Sequence, residues 1–240
     1  MADLDDDFEA LLEGTSLGSR GARQLRARTP AFRARAVREK AGWWHRYSDV
    51  LPSWFPTYVA LESAALRIRT YEVHYVPGLL QTEAYARALI QHGMTGAVKA
   101  DIDRRVALRL ERQKRFVREE GPELHAVLEE AVVRRPRGDR EVMRSQIQHL
   151  IEVSEWEHVR LQIVPLSYGG HSGESGAFSI LSFPEPDLSD VVYVEQLTSA
   201  LYLDKPWDVA QYAMAMSSLQ HDSLGPDESR DLLRGLLQLP

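Results

Sequence analysis

Leu124-His125-Ala126-Val127-Leu128-Glu129-Glu130-Ala131-Val132-Val133 is an apolar run that reads as a buried strand. A helical pattern over Asp139–Val153 and the alternating segment Val159–Pro165 follow it. A strand, a helix and a strand in that order allow one parallel pair, because a parallel return needs a crossover of about a dozen residues or more. Downstream, Ala177–Phe183, Val191–Leu197 and Leu201–Leu203 read as three further strands. Their short links favour antiparallel pairing. Helices Trp207–Leu219 and Pro226–Leu237 close the chain, the second with proline in its first turn, where a missing N–H is tolerated.

Upstream of that run the pattern is mainly helical. Phe32, Ala36, Val37, Ala41 and Trp44 recur at helical spacing from Ala31 to about Ser48, and Pro52 opens a second helix to about Ile68. Arg67–Tyr75 alternates through Ile68, Tyr71, Val73 and Tyr75 before Pro77-Gly78 forces a turn. Thr82 is placed to cap a helix over Glu83–His92. A long charged helix from about Val98 to Arg118 carries a thin apolar stripe of Ile102, Val106, Leu110 and Phe116, so one face should pack and the rest stay wet. The fold expected is α+β: a helical N-terminal layer packed on a mixed, mostly antiparallel sheet with two C-terminal helices.

Composition narrows the chemistry. The 240 residues are 44% hydrophobic and 27% charged, enough for one good core or two small ones. No apolar run approaches the roughly 20 residues that span a bilayer. The N-terminus opens on Asp3-Leu4-Asp5-Asp6-Asp7 where a signal peptide needs basic residues, so a cytoplasmic protein with no membrane partner is expected. With no cysteine, disulfides, thiol nucleophiles and thiolate metal sites are excluded. The histidines form no H-x3-H or HExxH spacing, and neither metal nor cofactor is expected.

The net charge of −6 is uneven: residues 1–19 carry −6, residues 20–46 carry +8 and the remainder −8. Residues 1–30 read as an acidic then Arg-rich flexible segment, and residues 31–240 as the folded domain. A basic stretch such as Arg20–Arg46 could meet phosphate through counterion release. The adjoining acidic head can neutralise it in cis, so nucleic-acid binding is not expected without a partner.

Several side chains are candidates for a site. Trp43, Trp44, Tyr47, Trp54, Phe55 and Tyr58 form an aromatic cluster that either lines a pocket for a planar ligand or is the seam between helices and sheet. Glu62 lies one helical turn after Tyr58, and a carboxylate among aromatics must be paired, protonated or useful. Glu72, Glu129-Glu130 and Glu195 occupy strand contexts, with Arg67, Arg134 and Arg135 available for ion pairs. Gly169-Gly170-His171-Ser172-Gly173-Glu174-Ser175-Gly176 lacks the lysine of a phosphate loop but suits a mobile lid, with His171 and Glu174 as its polar contacts. No Gly-x-Ser-x-Gly elbow is present.

A set of strings resembles the C-terminal domain of WhiJ-like, toxin–antitoxin-associated Xre-type regulators of actinobacteria. They are Gly42-Trp43-Trp44, Tyr58-Val59-Ala60-Leu61-Glu62, Tyr71-Glu72, Val76-Pro77-Gly78-Leu79-Leu80-Gln81-Thr82-Glu83-Ala84-Tyr85, Gly176-Ala177-Phe178, Asp190 to Glu195, and Glu228-Ser229. That resemblance covers about Phe32 to Leu237. It implies a cytoplasmic protein of gene regulation whose body binds a small molecule or a small partner protein. In this family a helix-turn-helix head normally comes first, and Met1–Pro30 is too short and flexible to supply it, so DNA binding by the chain alone is not expected.

The reading is thus a ligand- or partner-binding regulator body, compatible with a homodimer. The alternative is a cofactor-independent cyclase or isomerase of secondary metabolism, with Glu62, Glu195 and His171 as catalytic candidates. Ligand contacts are expected from Trp43, Trp44, Tyr47, Tyr58, Glu62, Tyr71, Gln81, Tyr85, His171, Phe178, Tyr193 and Glu195.

Overall fold

The computed structural model describes residues 42–94, 96, 98–117 and 121–238. Trp43 onward forms one compact unit. The acidic then Arg-rich segment of residues 1–30 lies outside the described residues, as does most of the helix expected from Ala31. The described part of that helix, Trp43–Val50, is a 3-10 stretch. Among the described residues no helix is long and apolar enough to cross a membrane.

In chain order the elements are α1 (Phe55–Ala64), β1 (Arg67–Glu72), a 3-10 turn at Gly78–Leu80, α2 (Glu83–Gly93) and α3 (Lys99–Phe116). Next come β2 (Glu123–Glu129), α4 (Glu130–Arg134), α5 (Arg140–Val153), β3 (Val159–Val164), β4 (Phe178–Ser182), β5 (Val191–Glu195) and β6 (Ala200–Leu203). Helices α6 (Pro206–Asp222) and α7 (Pro226–Leu237) complete the fold. Capping follows side-chain chemistry. Thr82 Oγ1 accepts from the Tyr85 N–H, and Asp139 Oδ1 accepts from the Val142 N–H, each satisfying a donor that the first turn leaves free.

The six strands form one sheet in the order β3-β2-β1-β4-β5-β6. The expected α+β fold and mixed, mostly antiparallel sheet are present. Two pairings are parallel, β1 with β2 and β2 with β3, and three are antiparallel. The expectation had a single parallel pair; the second arises because α2 and α3 supply another crossover, between β1 and β2.

Two other expectations need correction. The strand beginning at Leu124 ends at Glu129, and Glu130–Arg134 coils into α4. A short apolar run does not distinguish a buried strand from a buried helical turn. Glu130 settles it: buried, it takes Arg134 one turn on and accepts the Leu166 N–H at 2.7 Å. Helix α3 is also not wet outside its apolar stripe, since Arg112 is as buried as Ile102.

The registers sort the sheet's side chains. Thr70, Ser179, Tyr193 and Tyr202 stand in one row across β1, β4, β5 and β6. By strand alternation Glu72 and Glu195 share that face at the C-terminal ends of β1 and β5. Tyr58 of α1 stacks on Tyr193 with ring centroids 4.4 Å apart, so α1 covers this face. On the opposite face Tyr71, Phe178, Ile180 and Val192 pack with Met216 and Leu219 of α6. Strand β3, at one end of the sheet, is sealed by the C-terminal helices. The Ile163 N–H donates to Ser229 Oγ (3.0 Å) and its carbonyl accepts from the Leu224 N–H (2.9 Å).

Candidate functional site

After β1 the chain runs through a buried region with only the 3-10 turn at Gly78–Leu80, so its other backbone groups need partners. Side chains supply them. Gln81 Nε2 donates to the Val76 carbonyl, and the Val76 N–H donates to Tyr85 Oη (3.3 Å). From α3, Gln113 Nε2 donates to the carbonyls of Gly78 (2.8 Å) and Gln81 (2.7 Å), and Arg109 donates to Gln81 Oε1 (2.6 Å). From α5, Gln146 Nε2 donates to the Leu80 carbonyl while its Oε1 accepts the Thr82 N–H. Gly78 suits this clamp, because a Cβ there would lie 3.3 Å from the Arg112 guanidinium and 3.7 Å from Arg109 Nε.

Glu62 is answered by Arg112. The guanidinium donates through Nε and Nη2 to the two carboxylate oxygens, each at 2.7 Å, with both side chains 6% exposed. The rings of Phe55 and Tyr58 lie 5.3 and 5.5 Å from the guanidinium carbon. Burial works against the Arg112 charge, but the Glu62 carboxylate outweighs it and holds the guanidinium's pKa above the ordinary arginine value. Glu62 and Arg112, with Leu79, Arg115, Phe116 and Pro122, line a cleft of about 220 Å³. A wider but open groove of about 410 Å³ lies elsewhere, along α5 at Glu141, Arg144 and His149.

Near this pair Glu72, Tyr75, Arg109, Tyr193 and Glu195 act on one another electrostatically. Glu72 and Arg109 are each part-buried. Neither makes an ion pair among the described residues. Glu72 receives the Thr70 hydroxyl at 3.2 Å, and Arg109 meets only the neutral Gln81 amide. Burial, aided by Glu195, pushes the Glu72 carboxyl up to about 8 against the opposing pull of Thr70 and Arg109. Burial and the neighbouring Arg112 bring Arg109 down to about 10. Tyr75 is raised to about 12, by burial first and then by Glu72 and Glu195.

The rest of the group is aromatic. Tyr193 is 6% exposed and its hydroxyl makes no hydrogen bond of ordinary geometry. Burial, then the Glu195 charge, pushes that hydroxyl far up. Trp54 Nε1 donates to Glu195 at 3.2 Å, and Tyr202 Oη donates to the Trp54 carbonyl at 2.8 Å, tying β5 and β6 to the start of α1.

A second polar group sits on the opposite face, under the glycine-rich loop. Tyr71 Oη donates to Glu129 Oε1 at 2.6 Å, and His171 Nε2 lies 3.0 Å from the same oxygen. The Gly173 N–H donates to His171 Nδ1 at 3.1 Å, which assigns the ring proton to Nε2, toward Glu129. Burial, then Glu129, raises the Tyr71 hydroxyl well above its ordinary value. The loop fits tightly: a Cβ on Gly173 would fall 2.5 Å from the Tyr71 ring.

The candidate residues therefore divide. Tyr58, Glu62, Tyr193 and Glu195 come together on one face; Tyr71, His171 and Phe178 lie on the other. Trp44 and Tyr47 are buried with Val59, Ala60 and Leu108, and Trp43 packs against that cluster with Arg115 over its ring, so these three form the seam between the 3-10 stretch, α1 and α3. Gln81 and Tyr85 hold the buried turn. Of the arginines offered as ion-pair partners, Arg134 does pair with Glu130, whereas Arg67 pairs with Glu123. Arg109 and Arg112 were missed. Their signal was present at spacing i, i+3 on α3, but a charged helix hides inward-facing charges among outward ones. Among the described residues no group of three or more His, Asp or Glu is placed to hold a metal.

Fold and site together define an α+β domain with a mixed sheet, one face of which carries polar and aromatic side chains beneath α1 and α3. Residues 55–235 match the family model described as Domain of unknown function (DUF5753), and the chain belongs to that family. No curated protein and no solved structure matches the chain.

Proposed function

We propose that this domain is the sensing body of a WhiJ-like, Xre-type regulator, binding a small organic molecule at the group of Glu72, Tyr75, Arg109, Tyr193 and Glu195. One observation carries the reading. Glu72 and Arg109, both part-buried, are left without ion pairs among the described residues, and burial draws their pKa values toward each other, as in sites built to meet a ligand. The buried Tyr193 hydroxyl supports it, since it meets Glu195 only in loose geometry and is open to a better-placed partner. In this reading the chain reports on a metabolite and leaves DNA contact to a partner.

Thermal-shift screening of the full chain against a small-molecule library tests this, because a ligand of the folded state raises Tm by mass action. Hits are expected to lose their effect in Arg109→Leu and Tyr193→Phe variants that remain folded by circular dichroism. Hits that protect these variants as well as the wild type refute the reading.

The Tyr71–Glu129–His171 group favours a second reading, proton-transfer catalysis without a cofactor, as in a cyclase or isomerase. With a substrate seated between the end of β2 and the glycine-rich loop, the Glu129 carboxylate and the His171 imidazole would face it from either side, suited to moving a proton between two of its carbons. Turnover lost in Glu129→Gln but kept in Glu195→Gln would establish that reading over the first.

A further inference from the structure

The two ends of the sheet are finished differently. β3 is capped by Leu224 and Ser229, whereas no strand among the described residues pairs beyond β6. Edge strands are ordinarily kept from pairing with other chains by charge, proline or a bulge. Ala200-Leu201-Tyr202-Leu203 has neither a charged residue nor a proline, and its register with β5 runs unbroken from Val192 to Glu195. The side chains beside this edge are apolar as well. Of the nine large hydrophobic residues exposed among the described residues, four fall in one stretch: Leu197 is 96% exposed, Leu201 54%, Trp207 74% and Met214 57%. Leu201 lies opposite Val194 and therefore on the α6 side of the sheet, where Val194 packs. Trp207 stands in the first turn of α6, and with Ala210, Gln211 and Met214 it forms an exposed stripe at i, i+3, i+4 and i+7. An ordinary surface helix carries charge on its outer side, and this stripe carries none. The inner side of the same helix packs Val209, Tyr212, Met216 and Leu219 against the sheet, so α6 is apolar on both sides.

We propose that β6 and the outer stripe of α6 are a homodimer interface, on which a second copy of the chain seats its own β6 antiparallel beside this one about a two-fold axis. Three observations favour a second copy over another occupant. The surface is self-complementary, since an isologous contact sets the same patch against itself and apolar side chains meet their like without an opposing charge. The chain carries a net charge of −6, so two copies approach best where charge is sparse, as it is along this stripe. The area is also adequate. The four exposed side chains make a patch of the few hundred Å² that marks an interaction site, and the strand edge with its polar rim extends it toward the roughly 800 Å² per partner of a stable complex. The capped β3 determines the stoichiometry. A copy cannot add its β3 to an exposed β6, so the pairing of β6 with β6 closes at two and leaves no edge from which a filament could grow. This inference stands apart from the proposed ligand site.

The test is sedimentation velocity of the full chain between about 0.5 and 100 µM, a span that reaches the weak end of affinities for interfaces of this size. A 27.3 kDa species is expected to give way to one of twice that mass as concentration rises. Trp207→Glu should weaken the dimer by about thirtyfold or more, the loss typical of a central aromatic anchor. Leu201→Lys, which sets two like charges near the axis, should weaken it comparably. Val98→Lys, equally exposed but at the start of α3, should leave it unchanged. A second measurement needs no variant. Amide hydrogen exchange of the wild-type chain should show protection over residues 197–211 that increases with protein concentration across the same span.

Each contrary result is decisive. A chain that stays monomeric to 100 µM overturns the proposal, and the exchange data then say what the surface is for. Strong protection of residues 197–211 in that monomer assigns the surface to another part of the same chain, and weak protection leaves it to a different protein. A dimer that persists in folded Trp207→Glu and Leu201→Lys, or that Val98→Lys disrupts as strongly, places the contact elsewhere and overturns the assignment. A ladder of species larger than the dimer overturns the closed two-fold arrangement. If either substitution prevents folding, concentration-dependent protection that falls only outside residues 197–214 of the wild-type chain overturns the assignment on its own.

Discussion

Removing Arg112 while keeping Glu62 should be among the most damaging single changes in the domain. In Arg112→Met the Glu62 carboxylate stays 6% exposed, loses two hydrogen bonds of 2.7 Å and has no other ion-pair partner among the described residues. A buried ion stranded in this way costs about 3–5 kcal/mol. For a domain of this length that is roughly a 6–20 °C drop in Tm. The pair itself is not expected to contribute comparably, because both ions had to leave water to form it. Glu62→Leu combined with Arg112→Met, which fills the space between Phe55 and Tyr58 with apolar atoms, should therefore recover all but about 1 kcal/mol. Urea unfolding of wild type, the two single variants and the double variant, followed by circular dichroism and tryptophan fluorescence, measures the cycle. The midpoint should shift without a change in slope. An Arg112→Met loss below about 1 kcal/mol, or a double variant no more stable than the worse single one, would refute the argument that stranded charge rather than lost attraction sets the cost.

Four further outcomes follow from the same coordinates. Glu72 binds its proton more tightly folded, near pH 8, than unfolded, near 4.5, so ionising it opposes folding. Wild-type stability relative to Glu72→Gln should fall with rising pH across that window, at no more than about 1.4 kcal/mol per pH unit, and level off above it, by urea titration at several pH values. His125 is the converse: burial lowers it to about 4, while Gln162 and Gln220 hold its ring, so its NMR shifts should report a neutral imidazole down to about pH 4. Its share of stability is lost as pH falls from 6.5 toward 4. Gly173→Ala should lift the loop off Tyr71 at a cost of about 1–3 kcal/mol, seen as faster amide exchange over residues 166–177. Ser229→Ala should cost about 1–3 kcal/mol by leaving the buried Ile163 N–H unpaired, whereas Ser229→Thr, if it retains the hydroxyl's placement, should cost less.

Much of the architecture was legible because it rests on local signals. The helix and strand flanking Asp139 to Val164, the Thr82 cap and the proline-led α7 were each written in periodicity or capping chemistry. Glu130 was not, because its coil into α4 depends on Arg134 and the distant Leu166 N–H. The site was legible in part. Tyr58, Glu62, Tyr193 and Glu195 meet on one face, but Tyr71 and Phe178 face away, since alternation within a strand reverses sides at each residue. The arginines that complete the site lie about fifty residues beyond Glu62 in the chain, and no spacing rule links positions brought together by a crossover. Gln81 and Tyr85, conspicuous in the Val76–Tyr85 string, serve the backbone of a buried turn, a demand invisible until the turn's path is known.

The sealing of β3 has a consequence for how the chain comes to be assembled. The groups that occupy its open edge belong to Leu224 and Ser229, and the bond to Ser229 spans 66 residues. During synthesis β3 emerges well before its guard, and for that interval its free N–H and C=O groups offer a template to any other unfinished strand. Truncation upstream of Pro226 would make the interval permanent. The C-terminal helices thus act as the sheet's stopper, and a shortened chain should betray their absence by self-association before it betrays it by any loss of ligand binding.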